Sequence, residues 1–445
     1  MGAVIGSESY KHEYVSDKIN KWIDEIKELG KVARVEPHIA YCAYVFGLQH
    51  RYTYLLRTIP NITAYLEKLD EAIDEHLLKP ILHNYNFNDL ERLWFSLPTR
   101  LGGLGINIIS ELGDIYYYNS KQMTQPLVDK IINQHRDTNP QNKDYLKGIK
   151  ATIKEEKAKR EELKQTYVIS QLNGEKIKLY EGITEKGASN WLTTLPLKDH
   201  DLYLNKQTFW DSVYLRYGIP LPRLPSKCVC SANFTMEHAM TCKKGGFVNI
   251  RHNDIRDFTA EMLSEICNDV AIEPILIPLS GEKFKYKTAN EDELARTDVS
   301  ARGVWVKGSR AFFDVRVFNP LAPSYSNQTL KATHKSNEAA KKREYGERVV
   351  QVEHGTFTPL VFSSLGGMSR ECSHFYNHLA DRISEKRGIP NSKARSWVRT
   401  KLSFCLLRST HLCIRGSRTK RFEPEHLANT NIPLAMTRAG LEDEE

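Results

Sequence analysis

Four soft metal donors fall within a fifteen-residue window of this chain: Cys228 and Cys230, then His238, then Cys242. A site that gathers four such donors constrains the backbone more tightly than any hydrophobic pattern does. The spacing is Cys-x-Cys-x7-His-x3-Cys, and thiolate and imidazole are the ligands zinc prefers in a tetrahedron. Protein fills all four positions, so such a site is structural and leaves no open position for catalysis. His238 and Cys242 are four apart and share a face if their segment is helical. Lys227, Lys243 and Lys244 flank the cluster, where they offset thiolate charge or touch phosphate. The plain alternative is three free cysteines beside an unrelated histidine. Cys-x-Cys is tighter than the more usual Cys-x-x-Cys.

About fifty residues on come two strand-like segments, each with an aspartate: Ala295-Arg296-Thr297-Asp298-Val299 and Phe312-Phe313-Asp314-Val315-Arg316-Val317. Strands show side chains alternately. Asp314, Arg316 and Phe318 therefore share one face, and Phe313, Val315 and Val317 point into a core. Paired carboxylates that hold Mg²⁺ or Mn²⁺ can activate water and neutralise a leaving oxygen, as phosphodiester cleavage requires. Arg316 stays protonated, so it is no base, but it can grip a phosphate through two hydrogen bonds. A lysine to orient or activate water is available from Lys341 or Lys342 on the helix that follows. Glu261 or Glu265, on the preceding helix, can supply a third carboxylate. The bland reading makes Asp298 and Asp314 ordinary strand-end charges. Glu353 and His354 either line the same cleft or form a turn.

Charge is distributed unevenly. The net charge is only +8, yet Lys386–Arg421 holds eleven Lys/Arg and no Asp/Glu, and the chain ends Glu442-Asp443-Glu444-Glu445. Arg395, Arg399, Lys401, Arg408, Arg415 and Arg418 interleave with Trp397, Phe404 and His411, a pattern that suits phosphate neutralisation and base stacking. A solvated basic helix against the core is the competing reading. Arg251 and His252, which open an amphipathic helix through Ile255, Phe258, Met262 and Ile266, are further candidates for contact with nucleic acid.

Of eight cysteines, five are scattered outside the cluster, which is no disulfide framework and points to a reducing compartment. No apolar run approaches the ~20 residues needed to span a bilayer. The opening residues lack a signal-peptide pattern. The expectation is a soluble intracellular protein that does not contact membrane.

Residues 1–165 read as all-helical. Val15, Ile19, Trp22, Ile26 and Leu29 form one apolar stripe, and Leu66, Leu69, Ile73 and Leu77 a second. Leu97–Gly105 is a tight Gly-rich turn, and 142–165 a charged, solvated helix. Residues 166–225 read as a linker with one short helix at Asn205–Tyr217, Phe209, Val213 and Tyr214 facing inward, and 226–248 as the metal knuckle. From 249 to 425 the order is helix, strands (Pro274–Leu279, Thr297–Ala301, Val304–Val306, Ala311–Phe318), a helix over Lys335–Arg348, strands at Val349–Glu353 and Phe357–Phe362, then helices over Glu371–Arg387 and Ala394–His411. Residues 426–445 form an acidic tail. The fold class is multidomain: all-α, then a small knuckle, then an α/β nuclease-like core.

With these residues in view, the chain resembles the C-terminal part of non-LTR retrotransposon polyproteins that carry a restriction-like endonuclease. Arg57-Thr58-Ile59-Pro60 and Leu97–Ile106 resemble the thumb of such reverse transcriptases, and Gly2–Ser7 the end of the palm. Cys228, Cys230, His238 and Cys242 resemble the knuckle before the nuclease. Arg251-His252-Asn253, Asp298, Asp314 and Lys341/Lys342 fall where the family has its Arg-His-Asn, its Pro-Asp, its second Asp and its displaced Lys. The resemblance implies a PD-(D/E)XK core, Mg²⁺-dependent nicking of chromosomal DNA in the nucleus, and element RNA as a possible second partner. Thr297 stands where the family usually has Pro, and the knuckle is tighter than the common spacing. No Asp-Asp pair occurs in the helical N-terminal third, so no polymerase activity is expected, as for a truncated element or an open reading frame derived from one. Two functions remain open: a DNA endonuclease, and an inert module that holds nucleic acid.

Overall fold

The computed structural model describes residues 4–134 and 141–416. Arg418 and the acidic run 426–445 lie outside the described residues. The described chain is mostly helical with one four-stranded mixed sheet. It divides into two compact units: the first runs to Ile177 and adds Leu192–Tyr214, and the second takes Lys178–Trp191 and continues from Leu215. No described helix is long and apolar enough to cross a membrane.

The first unit is built from the two apolar stripes. The Glu8–Ala33 helix, capped by Ser7, buries Val15, Ile19, Trp22 and Ile26. The Thr63–Ile73 helix buries Leu66, Leu69 and Ile73 and packs against it, and Leu77 follows on a π turn. The Gly-rich turn has a steric reason. A Cβ on Gly103 would lie 1.8 Å from the Leu97 carbonyl oxygen, and Gly102 and Gly105 hold φ of 82° and 72°, where only glycine is unstrained. The charged Gln141–Ser170 helix is largely exposed and is tied down by few contacts, among them Lys164 to Glu111 at 2.6 Å.

In the second unit the strands are β1 (Asn268–Ile272), β2 (Val299–Arg302), β3 (Arg310–Phe318) and β4 (Thr356–Ser363), in the spatial order β1-β2-β3-β4. The first three pair antiparallel, while β3 and β4 run parallel from Ala311↔Thr356 to Phe318↔Ser363. A parallel pair needs a crossover, and residues 319–355 supply it as the Leu330–Lys341 helix, a π turn at Lys342–Gly346 and the Glu347–Gln351 helix. The other face is covered by the helices Phe247–Ser264, Arg370–Arg387 and Asn391–Arg415, whose Ile255, Leu263, Phe375, Leu379, Val398 and Leu402 join Val299, Ala301, Phe313, Val315 and Leu360 in one core. Both faces are thus buried, as parallel pairing demands.

Several sequence expectations change. Residues 166–225 are no linker: the Gly174–Thr184 helix buries Leu179, Tyr180 and Ile183, and the Lys206–Tyr217 segment buries Phe209, Val213 and Tyr217. Pro274–Leu279 is not a strand and makes a single bridge, Ile275 to Arg296, because Pro274 and Pro278 cannot donate to a ladder. The first strand lies earlier, at β1. Val304–Val306 is part of a turn between Gly303 and Gly308, both at positive φ. Val349–Glu353 continues the crossover helix as far as Gln351, where Val349 is fully buried.

Candidate functional site

The alternation of β3 meets the periodicity of the crossover helix in a ladder. Every second residue of the strand faces every third or fourth residue of the helix, running in the opposite sense. Phe312 and Tyr345 share a small core. Asp314 Oδ2 lies 2.9 Å from Lys341 Nζ. Arg316 Nε donates to Asn337 Oδ1 at 2.7 Å. Phe318 packs edge-on against His334, with ring centroids 4.9 Å apart. Two strand residues span about 6.6 Å and four helical residues about 6 Å, so the rungs keep step. The outer rungs are apolar or aromatic, and the two central rungs carry charge.

Asp298 sits just before β2 and reaches the same place from the side. Its backbone N–H donates to the Phe313 carbonyl at 3.0 Å. Its Oδ2 accepts from the Val315 N–H at 2.5 Å and lies 3.0 Å from His252 Nε2. The same nitrogen is 3.1 Å from the Val315 carbonyl, an arrangement that requires the proton on Nε2. His252 comes from the Phe247–Ser264 helix and thereby ties it to the start of β2 and to the strand beside Asp314.

Charge and burial set the protonation states. Asp314 is 4% exposed. Burial, then the negative charge of Asp298, pushes its carboxyl up to about 7, against the pull of Lys341. Burial disfavours charge on Lys341, but Asp314 and Glu344 outweigh it and raise its pKa; Glu344 Oε2 stands 3.1 Å away. Burial likewise disfavours charge on His252, but the hydrogen bond and charge of Asp298 carry its pKa upward. The π turn after Lys341 lets Glu344 and Tyr345 turn back onto the lysine, whose ammonium lies 5.4 Å from the Tyr345 ring centroid.

The remaining candidates fall elsewhere. Lys342 turns outward to Glu371, leaving Lys341 as the lysine at the aspartates. Glu261 is exposed nine residues along the helix from His252, about 13 Å by helical rise. Glu265 is thirteen residues along and is bound by Arg387 at 2.6 Å. Neither joins the aspartates. Arg251 does not face outward: it is 1% exposed, and its guanidinium donates to the Met240 carbonyl at 3.1 Å. Along the Asn391–Arg415 helix, Arg395 pairs with Asp381 at 2.6 Å, Arg399 donates to Asn377, Arg408 lies over Phe404, and Arg415 donates to the Pro222 carbonyl at 3.0 Å. Lys401 is half-buried on the same helix. Much of this basic charge is bound within the protein. Glu353 accepts from the Ile277 N–H at 2.6 Å, and His354 takes φ of 50°, which is the turn reading. Glu344 and Asn337 were not singled out from sequence; their spacings of +3 and −4 from Lys341 place them on its face of the helix.

The cysteine cluster folds as a knuckle and a short helix. Cys228 N–H donates to the Ala232 carbonyl at 2.9 Å, closing a tight turn through Ser231 at φ 71°. Thr235 caps the Met236–Thr241 helix by accepting from the His238 N–H, which holds His238 and Cys242 one turn apart. The four donor atoms lie within 4.8 Å of one another. Cys228 and Cys242 Sγ are 3.8 Å apart, and Cys230 Sγ is 3.2 Å from His238 Nε2. A tetrahedron with bonds of about 2.3 Å has edges of about 3.8 Å. The group can hold a structural zinc. Among the described residues, it is the one group of three or more such donors gathered closely enough for a metal ion.

No protein-family model matches the chain, and no curated protein matches it.

Proposed function

We propose that the second unit is a Mg²⁺-dependent DNA endonuclease with a PD-(D/E)XK-like core. On this reading the chain derives from the C-terminal part of a non-LTR retrotransposon polyprotein, with a thumb-like first unit and no polymerase activity of its own. It acts on chromosomal DNA in the nucleus, with element RNA as a second partner. The observation that carries the reading is the rung between Asp314 and Lys341, with Asp298 beside it, on a helix–three strands–helix–strand frame.

Asp298 and Asp314 would hold the divalent ion. The donor set fits in kind: two carboxylates close enough for one to raise the pKa of the other, an arrangement that a cation between them relieves. The bound ion supplies charge neutralisation at the phosphate and a nucleophilic water. Lys341, moved off the Asp314 carboxylate, would donate a hydrogen bond to the attacking water. Arg316 grips a phosphate through its guanidinium fork. His252 keeps Asp298 turned toward β3. The knuckle, with its structural zinc, ends against Arg251 and braces the helix that carries His252.

One observation favours the second reading, an inert nucleic-acid-binding module. Lys341 already covers Asp314 Oδ2, and both bonds to Asp298 use Oδ2, so metal entry requires the lysine to move. Nicking of supercoiled plasmid with Mg²⁺ or Mn²⁺ separates the two. The endonuclease reading expects nicking by the wild type and its loss in Asp298→Ala, Asp314→Ala and Lys341→Ala. Equal nicking by all four proteins removes the assignment. DNA binding by all four without nicking supports the inert module.

A further inference from the structure

The second central rung of the ladder is as deliberate as the first. Arg316 is exposed, while Asn337 opposite is 4% exposed. Asn337 Oδ1 accepts from Arg316 Nε at 2.7 Å and from the Tyr325 hydroxyl at 3.3 Å, and its Nδ2 donates to the Thr333 carbonyl at 2.8 Å. These three bonds fix the amide, because only one orientation offers oxygen to both donors and nitrogen to the carbonyl. Tyr325 is itself held: its backbone carbonyl accepts from Lys178 and its ring packs edge-on against Phe318.

A guanidinium gripped at Nε cannot swing about its stem. Its Nη1–Nη2 edge keeps a fixed direction on the face of β3 that carries Asp314, two residues or about 7 Å away. No carboxylate among the described residues forms an ion pair with Arg316, whereas Lys341 and Lys342, on the facing helix segment, are both paired. A planar fork with one edge anchored and the other open matches a phosphodiester, which takes two parallel hydrogen bonds.

We infer that Asn337 is a positioning residue that holds Arg316 as a clamp for a backbone phosphate of DNA lying across Asp314. The inference rests on the endonuclease reading and adds to it. Asn337 never meets the substrate, and Tyr325 backs it. A lysine at 316 carries the charge but has no Nε to anchor and no fork to present.

The test combines nicking kinetics with salt-dependent binding to a short duplex, and a thermal melt checks that each variant folds. Asn337→Leu is expected to raise KM about tenfold with kcat changed less than about twofold, the loss of one charge-assisted contact. Arg316→Lys should match it, Asn337→Asp should stay near wild type because the acceptor survives, and Asn337→Leu/Arg316→Lys should be no worse than either change alone. Arg316→Gln should lower the slope of log K against log salt by about 1, and Asn337→Leu should leave that slope unchanged. Tyr325→Phe, which leaves the core intact, serves where Asn337→Leu melts early, and should raise KM by a smaller factor. Wild-type KM in both Asn337→Leu and Tyr325→Phe, or full additivity with Arg316→Lys, overturns the clamp while Asp298→Ala and Asp314→Ala still abolish nicking. A wild type that neither nicks nor binds DNA overturns the clamp and the endonuclease reading together.

Discussion

His252 Nε2 lies 3.0 Å from Asp298 Oδ2 and 3.1 Å from the carbonyl of Val315. One ring nitrogen therefore joins the Phe247–Ser264 helix to the start of β2 and the middle of β3. The groups around the ring are Asp298, the Val315 carbonyl, the Asn253 side chain and, through its field, Asp314. Together they hold its pKa above 6.5 in the folded state despite burial. A raised histidine pKa contributes stability that is fully present below about 6.5 and is lost as pH rises through the folded value. Glutamine at 252 keeps a donor but not the charge. In magnesium-free buffer, His252→Gln is expected to cost more stability at pH 5.5 than at pH 8.5. Urea titrations at the two pH values measure this, and an equal loss at both would show that charge on His252 contributes nothing.

The rung between Asp314 and Lys341 has the opposite pH signature when the lysine is removed. In Lys341→Met the buried carboxyl loses its cation, so its folded pKa climbs further above the unfolded value. A carboxyl with a raised folded pKa destabilises the fold increasingly as pH rises past the unfolded value, because charge must then be buried. The variant should lose more stability at pH 8 than at pH 5, on the order of 3–5 kcal/mol at the upper end. Adding Asp314→Asn should restore a good part of this. A double-mutant cycle by chemical denaturation gives the coupling, and additive losses would mean that the two groups do not interact in solution.

Much of this site could be read from the sequence because strands and helices have fixed periods. Alternation alone placed Asp314 and Arg316 on one face and Phe313 and Val315 on the other. The ladder itself was not legible, since it depends on the parallel pairing of β3 with β4 and on a crossover that lays the helix back along the strand. That long-range step is what separates Lys341 from Lys342. They are adjacent in sequence but about 100° apart around the helix, so only one can face Asp314. Glu261 and Glu265 were misplaced for a related reason: sequence put them on the helix before the strands but did not show how far along it the aspartates dock. Arg251 looked like a surface cation beside His252. Its burial against Met240 follows from the knuckle folding back onto the helix, a tertiary contact with no local signature.

Two glycines of the first unit should respond oppositely to alanine. At Gly103 the new Cβ would stand 1.8 Å from the Leu97 carbonyl oxygen. The turn would have to open, with strain on the bonds from Leu104 N–H to Phe95 and from Gly105 N–H to Leu97. Gly103→Ala is expected to cost about 2–4 kcal/mol. Gly148 lies exposed within the Gln141–Ser170 helix with open space around it, and alanine there should stabilise the helix by up to about 1 kcal/mol. Thermal melts of the two variants on either side of wild type are the expected result; a Gly103→Ala melt at or above wild type would contradict the close approach.

Metal removal tests the knuckle through its grip on the rest of the second unit. The three thiols and one imidazole converge within 4.8 Å of one another, and the segment has little core of its own beyond Phe234, Ala239 and Met240. Purified protein should carry about one zinc per chain by atomic absorption. Cys242→Ser or a strong chelator should release it. The Met236–Thr241 helix would then lose the metal bonds at His238 and Cys242 that fix its end, and the Met240 carbonyl would leave the buried Arg251 guanidinium without that acceptor. Loss of a partner by a buried charge is costly, so the effect should spread to the Phe247–Ser264 helix and through His252 to Asp298. Trypsin should cut after Lys243 or Lys244 faster in the chelated protein than in the zinc-loaded one, because local opening controls access to those bonds. Protein that contains no zinc and resists trypsin equally well with and without chelator would show that the four donors pack together without a metal.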